Sequence, residues 1–252
     1  MILNRLISRR QVLRTGAAFA ALSALSPART AMAGPSEDPF VLRAASGQAA
    51  LRPAPYGPTD VWSYNGSVPG PEIRVRQGDR IRVLARNGLN EGTTVHWHGI
   101  RTPNAMDGVP FLTQDPIPVG GDFLYEFDAL DAGTFWYHPH QRSSEQVGRG
   151  LYGPLIVEEA NPIRVDRDLT WMLDDWRMTG DGQIATDFGS RHDAAHGGRI
   201  GNSVTINGQI PDRIAVRSGE RIRLRLVNAA NARIFGLDFG GLAPVVVALD
   251  GQ

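Results

Sequence analysis

The sequence predicts an all-β protein, two Greek-key β-sandwiches in tandem with the second incomplete, and three observations carry that expectation. Apolar and polar residues alternate over short runs that glycine, proline and aspartate interrupt. Gly 29 and Pro 17 together make up about 18% of the 252 residues, a turn-rich balance that leaves little room for long helices. A segment recurs once, roughly 140 residues later, and little sequence follows the second copy.

The strands follow in order. Ile73 and Val75, then Ile81 and Val83, point one way while the intervening arginines point the other. They read as two half-buried strands joined by a tight turn at Gly78-Asp79. Further strands are expected at Phe123–Phe127, Thr134–His138, Leu155–Val157, Leu169–Leu173 and Val245–Leu249. Residues 177–202, rich in glycine, aspartate and other polar residues, read as a long loop. Asn65 to Val83 returns as Asn207 to Leu224, at an offset of 141 from Ile73/Ile214 through Asn87/Asn228. Solenoid repeats run about 20–50 residues, so this period implies a duplicated domain. Domain 1 is placed at 38–160 and domain 2 at 161–252. In domain 1, 62 residues follow His98 before residue 160, whereas 13 follow Phe239, the position 141 further on. The second sandwich should therefore lack its closing strands and leave an open sheet edge, and the chain reads as a fragment.

Residues 1–33 read as an address. Ser8-Arg9-Arg10-Gln11-Val12-Leu13-Arg14 precedes an uncharged run and then Ala31-Met32-Ala33, the layout of a twin-arginine export signal with its cleavage site. Its apolar stretch of about 12 residues is too short for a bilayer, which takes about 20. The expected location is periplasmic or secreted. The formal net charge of zero hides an asymmetry, because five arginines and no acid lie in this segment. The remaining 219 residues carry 21 Arg against 26 acids, a net −5. Such a chain has no electrostatic footprint for nucleic acid and none for stable association with an anionic membrane. It has no cysteine, which excludes disulfides and any thiolate site.

Six histidines occur, and four form two pairs, His96-Trp97-His98 and His138-Pro139-His140. Residues i and i+2 of a strand project from one face, so each pair offers two imidazoles to one side. Pro139 holds its segment extended and places it at a strand end or sheet edge. The duplication supplies a control. Positions 141 after His96 and His98 are Leu237 and Phe239, so the fold itself does not demand histidine there. Metal ligation is the expected use. His192 and His196, spaced i, i+4 among glycines, are expected in a solvated loop, with an accessory metal site as the lesser alternative.

These residues resemble the multicopper oxidase family, which includes laccases and bacterial periplasmic copper oxidases. The matching text is Tyr64-Asn65-Gly66 through Gly78-Asp79, His96-Trp97-His98-Gly99, Asp107-Gly108-Val109-Pro110, Gly133 through His140, and Gly150 through Val157. The resemblance implies cupredoxin-like sandwiches. It also implies an oxidoreductase that couples one-electron oxidation of a substrate to four-electron reduction of dioxygen to water. By position His96 resembles a type 2 copper ligand, His98 and His138 resemble ligands of one type 3 copper, and His140 a ligand of the other. Asp107 matches an acid that assists proton delivery in relatives, although Asp107-Gly108 also reads as a turn.

The departures matter as much. Half of the eight expected cluster histidines are present, and the cysteine of a type 1 copper site is absent. Alone, the chain is expected to be incomplete and inactive as an oxidase, with a further C-terminal cupredoxin domain as its missing partner. A non-enzymatic periplasmic copper-binding or buffering protein is the alternative. The resemblance implies a phenol-like compound or a metal ion as the reducing substrate.

Overall fold

The structure, a computed structural model, describes residues 31–32, 38–211 and 213–249. Most of the expected export segment lies outside the described residues. Among them the chain forms β1 (Ala31–Met32), β2 (Phe40–Ala49), β3 (Thr59–Tyr64), β4 (Ile73–Arg76), β5 (Arg80–Gly88), β6 (His96–His98), β7 (Asp122–Asp128), β8 (Gly133–His138), β9 (Gly153–Glu158), β10 (Arg167–Trp176), β11 (Ser203–Ile206) and β12 (Ile222–Asn228). Two short helices, α1 (Ser143–Gly148) and α2 (Arg191–Ala195), and a 3-10 turn at Asn104–Met106 complete the elements.

The first sandwich packs the sheet β3-β2-β5-β7 on the sheet β1-β4-β9-β8-β6. Period-two alternation builds its core. Ile81, Val83 and Ala85 of β5 and Tyr125 and Phe127 of β7 meet Trp97, Phe135, Tyr137, Leu155 and Val157 from the facing sheet in one buried cluster. On the outer face, Arg80 and Arg82 stand directly opposite Asp128 and Glu126 in the β5–β7 ladder and pair with them at 3.1 and 2.7 Å. The expected tight turn is present. The Asp79 carboxylate accepts the Arg76 N–H at 2.8 Å, and Gly78 takes φ +92°. The flanking strands do not pair with each other, however. β4 joins β9 while β5 joins β2 and β7, so the turn carries the chain from one sheet to the other.

The duplication is visible in three-strand registers. β10 lies between β11 (antiparallel) and β12 (parallel), just as β2 lies between β3 and β5. Ala44 faces Tyr64 and Asn87, and Leu173 faces Ile206 and Asn228. Each copy has an Asn-Gly turn with positive φ at both residues, Asn65 (52°) and Asn207 (53°) among them. Each asparagine is clamped alike to its central strand. Asn65 Oδ1 accepts from Arg43 N (2.7 Å) and its Nδ2 donates to Val41 O (2.9 Å); Asn207 does the same with Met172 N (2.8 Å) and Thr170 O (2.9 Å).

Two expected strands do not form. Residues 214–217, the counterpart of β4, and 245–249 have no strand assignment, with Val216 62% and Val245 83% exposed. A strand needs a neighbour, and β4 has one in β9, whereas 214–217 pairs with no strand among the described residues. The 177–202 segment differs in the other direction. It carries α2, capped by the Ser190 side chain, and Arg177 and Arg199 pin it to Asp187 and Asp193. Met178 and Ile184 seal it onto a second core that joins Leu51, Val61 and Tyr152 of the first sandwich to Met172, Trp176 and Val227 of the β10 sheet.

Candidate metal centre

The two histidine pairs meet at the edge of the five-stranded sheet. β6 is its last strand and runs antiparallel to β8, with His96 opposite His138 and His98 opposite Trp136. Trp97, between the two histidines, is fully buried against Tyr125, Phe127 and Tyr137. Burying an aromatic of this size stabilises by about 3 kcal/mol, so the indole anchors β6 and alternation turns both imidazoles to the opposite face. His138 closes β8, buried and stacked on Trp136 with ring centroids 4.1 Å apart. Pro139 ends the strand, and exposed His140 lies beyond it.

The four rings converge. His96 sits 4.5 Å from His140, 5.4 Å from His138 and 5.8 Å from His98, centroid to centroid. One ligating nitrogen each from His96, His138 and His140 lies within 4.8 Å of the others, and His98 Nδ1 is 3.3 Å from His138 Nε2. Burial pulls the His138 pKa down to about 3; the hydrogen bond to Pro139 O opposes it, and the neighbouring imidazoles add smaller downward pushes. Burial and His96 likewise lower His140. Both rings are therefore neutral at pH 7, the form that offers a lone pair to a metal.

Asp107 follows the 3-10 turn and meets His96 twice. His96 Nδ1 donates to the Asp107 carbonyl oxygen at 2.7 Å, and Asp107 Oδ1 is 3.3 Å from the same nitrogen. A carbonyl only accepts, so it fixes the proton on Nδ1 and leaves Nε2 free. The approach requires Gly108. Its φ is +75°, and a Cβ there would stand 1.9 Å from Val95 O. Both sequence readings of Asp107 thus fall on one residue, which makes the turn and also touches the imidazole.

Sequence reasoning missed two contributors. Trp136, beneath His138 and 5.0 Å from His98, stands two residues before His138 on β8, so the strand alternation that signals the His-x-His pairs could have found it. Thr94 Oγ1 accepts the His140 N–H at 3.1 Å across 46 residues of sequence. His192 stands on α2 and His196 is the residue just after it, both exposed and stacked on each other at 4.2 Å, so the segment expected to be loop is helical over 191–195. In the second copy, Leu237 is exposed, Phe239 is half-buried, and neither lies in a strand.

Comparisons with known proteins agree on one family. A family model described as multicopper oxidase matches residues 47–162, and a second of the same description matches 167–252. The chain is similar to copper resistance protein A of Pseudomonas syringae pv. tomato, 34% identical over 235 residues, covering 75% of this chain and 38% of that protein. Among solved structures it resembles a multi-copper oxidase from Pseudomonas thermotolerans (TM-score 0.74, 42% identity, 78% of this chain and 47% of that one). It also resembles Lac15 from a marine microbial metagenome (TM-score 0.74, 48% identity, 85% and 54%). The chain thus spans about half or less of the length of each.

Proposed function

The chain belongs to the multicopper oxidase family, and from that premise we propose that it supplies four histidine ligands of a trinuclear copper cluster in an oxidase that reduces dioxygen to water. The observation carrying this reading is the convergence of two His-x-His pairs on one sheet edge, with ligand atoms of His96, His138 and His140 within 4.8 Å of one another. The donor set fits copper, for which imidazole is a favoured ligand, and burial keeps His138 in the form that binds. His96 is assigned to type 2 copper through Nε2, His98 and His138 to one type 3 copper, and His140 to the other.

Copper bound here supplies one-electron redox centres for the oxidation of a phenol-like or metal-ion reductant. The chain's own residues set the stage. The Asp107 carbonyl orients the His96 ring, and its half-exposed carboxylate, 3.3 Å from Nδ1, can exchange protons with solvent. Trp136 covers one face of His138 and excludes water from it. With no cysteine among the 252 residues, the type 1 copper thiolate and the other four histidines belong to a further cupredoxin domain. Residues 38–160 form the ligand-bearing unit, 161–252 the second domain, and 1–33 direct twin-arginine export to the periplasm.

Copper content and the EPR spectrum of the purified 252-residue protein and its His96→Ala variant test the reading. It requires retained copper with a type-2-like signal that the variant loses. A folded wild-type protein that retains no copper would overturn it.

A further inference from the structure

We propose that Gln146 is a positioning residue for His140, setting the place of the fourth imidazole through Thr93 and Thr94. This rests on the reading of the histidines as copper ligands. Three of the four are held by the sheet. His96 and His98 belong to β6, and His138 faces His96 across the β6–β8 ladder. His140 has no such support, because Pro139 ends the strand. Its backbone N–H donates instead to Thr94 Oγ1 at 3.1 Å. His140 nonetheless makes the shortest ring approach of the cluster, 4.5 Å to His96.

Gln146 lies six residues later, on α1, and is fully buried. Its amide is committed to the segment that carries Thr94. Nε2 donates to Glu91 Oε1 (2.8 Å) and Gly92 O (2.9 Å), and Oε1 accepts from Thr93 Oγ1 (2.7 Å). A pair of backbone bonds between Thr93 and Ile117 anchors the same segment from its other side. The result is a closed circuit: His140 to α1 by the chain, α1 to 91–93 by Gln146, and Thr94 back to His140. Thr93 and Thr94 are almost completely buried, so water cannot stand in for the amide. Losing it would leave the Gly92 carbonyl without its Gln146 donor and the Thr93 hydroxyl with only its long 3.4 Å bond to Thr94 O, and free the segment to shift. Gln146 touches none of the four rings; it acts through the threonines.

The test uses the 252-residue protein with Cu(II) as probe, reading affinity by calorimetric titration and ligand geometry by EPR. Gln146→Leu is expected to weaken Cu(II) binding 10–100-fold, the usual effect of disturbing groups that orient ligands, and to change the copper hyperfine splitting. Thr94→Val should reproduce both changes, and the double variant should add little, because both substitutions cut one circuit. Gln146→Glu should behave like Gln146→Leu, because a carboxylate cannot donate to Glu91 Oε1 or to Gly92 O. Where Gln146→Leu fails to fold, Thr94→Val decides. Wild-type affinity and spectrum in folded Gln146→Leu or in Thr94→Val overturns the inference alone. A wild-type chain that binds no Cu(II) overturns the copper reading and this inference with it.

Discussion

β5 and β12 are the same strand written twice, and they use opposite faces. In β5 the alternation buries Ile81, Val83 and Ala85 between two sheets and leaves Arg82, Leu84 and Arg86 on the outer side. In β12 the positions 141 later reverse this. Arg223, Arg225 and Val227 are buried against the first sandwich, while Ile222 and Leu224 are only half-covered and Leu226 is 41% exposed. The reason is what each face meets. β5 has a facing sheet; β12 has the side of the first sandwich behind it and no facing sheet among the described residues. Arginine at 223 and 225 serves this contact. Arg225 holds Asp168 with two bonds of 2.8 Å and reaches Thr134 of β8 at 2.9 Å, and Arg223 pairs with Glu159. A period-two pattern states that one face is buried; the surroundings decide which.

The largest expected effect contrasts the two inner faces. Ile81→Ala should cost about 2–5 kcal/mol by opening a cavity, whereas Leu226→Ala should stay within about 0.5 kcal/mol; urea denaturation measures both. Next come the outer faces. Arg225→Ala leaves the Asp168 carboxylate only Arg74, at 3.6 Å, and should cost about 1–2 kcal/mol, discounted for the exposure of Asp168. Leu84→Ala at the matching position should cost under about 1 kcal/mol. The Asn-Gly turns should show no contrast. Asn65→Ala and Asn207→Ala each lose two hydrogen bonds and the ease of a left-handed backbone, about 2 kcal/mol apiece. Unequal losses would show that the two clamps are not equivalent.

The effects of pH are graded across the scale, and their signs oppose. Burial holds the Asp174 carboxyl well above its ordinary 3.8. Above pH 3.8 the unfolded chain gives up that proton while the folded one keeps it, so stability falls as pH rises. Asp174→Asn, which cannot ionise, should raise the urea midpoint at pH 7 and lose that advantage below about pH 3.8. His138 works the other way. With its pKa drawn from 6.5 to about 3, the unfolded chain takes up a proton that the folded one refuses, and metal-free stability falls as pH drops across that interval. His138→Gln should flatten the slope.

Much of this was legible in the sequence. β7, β8, β9 and β10 stand where alternation put them, because their partners are present. The same alternation at 214–217 and the apolar run at 245–249 did not become strands, since a ladder is a property of pairs and no strand pairs with them among the described residues. Residues 191–195 turned helical among glycines because Ser190 caps them and Arg177 grips Asp193, contacts invisible to a local window. The His-x-His pairs announced a shared face by their spacing. Trp136 beneath His138 follows from the same alternation, but two other supports come from further along the chain: Thr94 to His140 and the Asp107 carbonyl to His96.

On the proposed reading, the duplicated fold has a copper site in its first copy and plain hydrophobes in its second. The most direct measurement gives the first copy the residues of the second, as the double variant His96→Leu/His98→Phe, and follows cooperative unfolding together with Cu(II) EPR. The account predicts a protein that unfolds in one transition like the wild type and has lost the copper signal. A folded double variant that retains wild-type copper and its spectrum would contradict it.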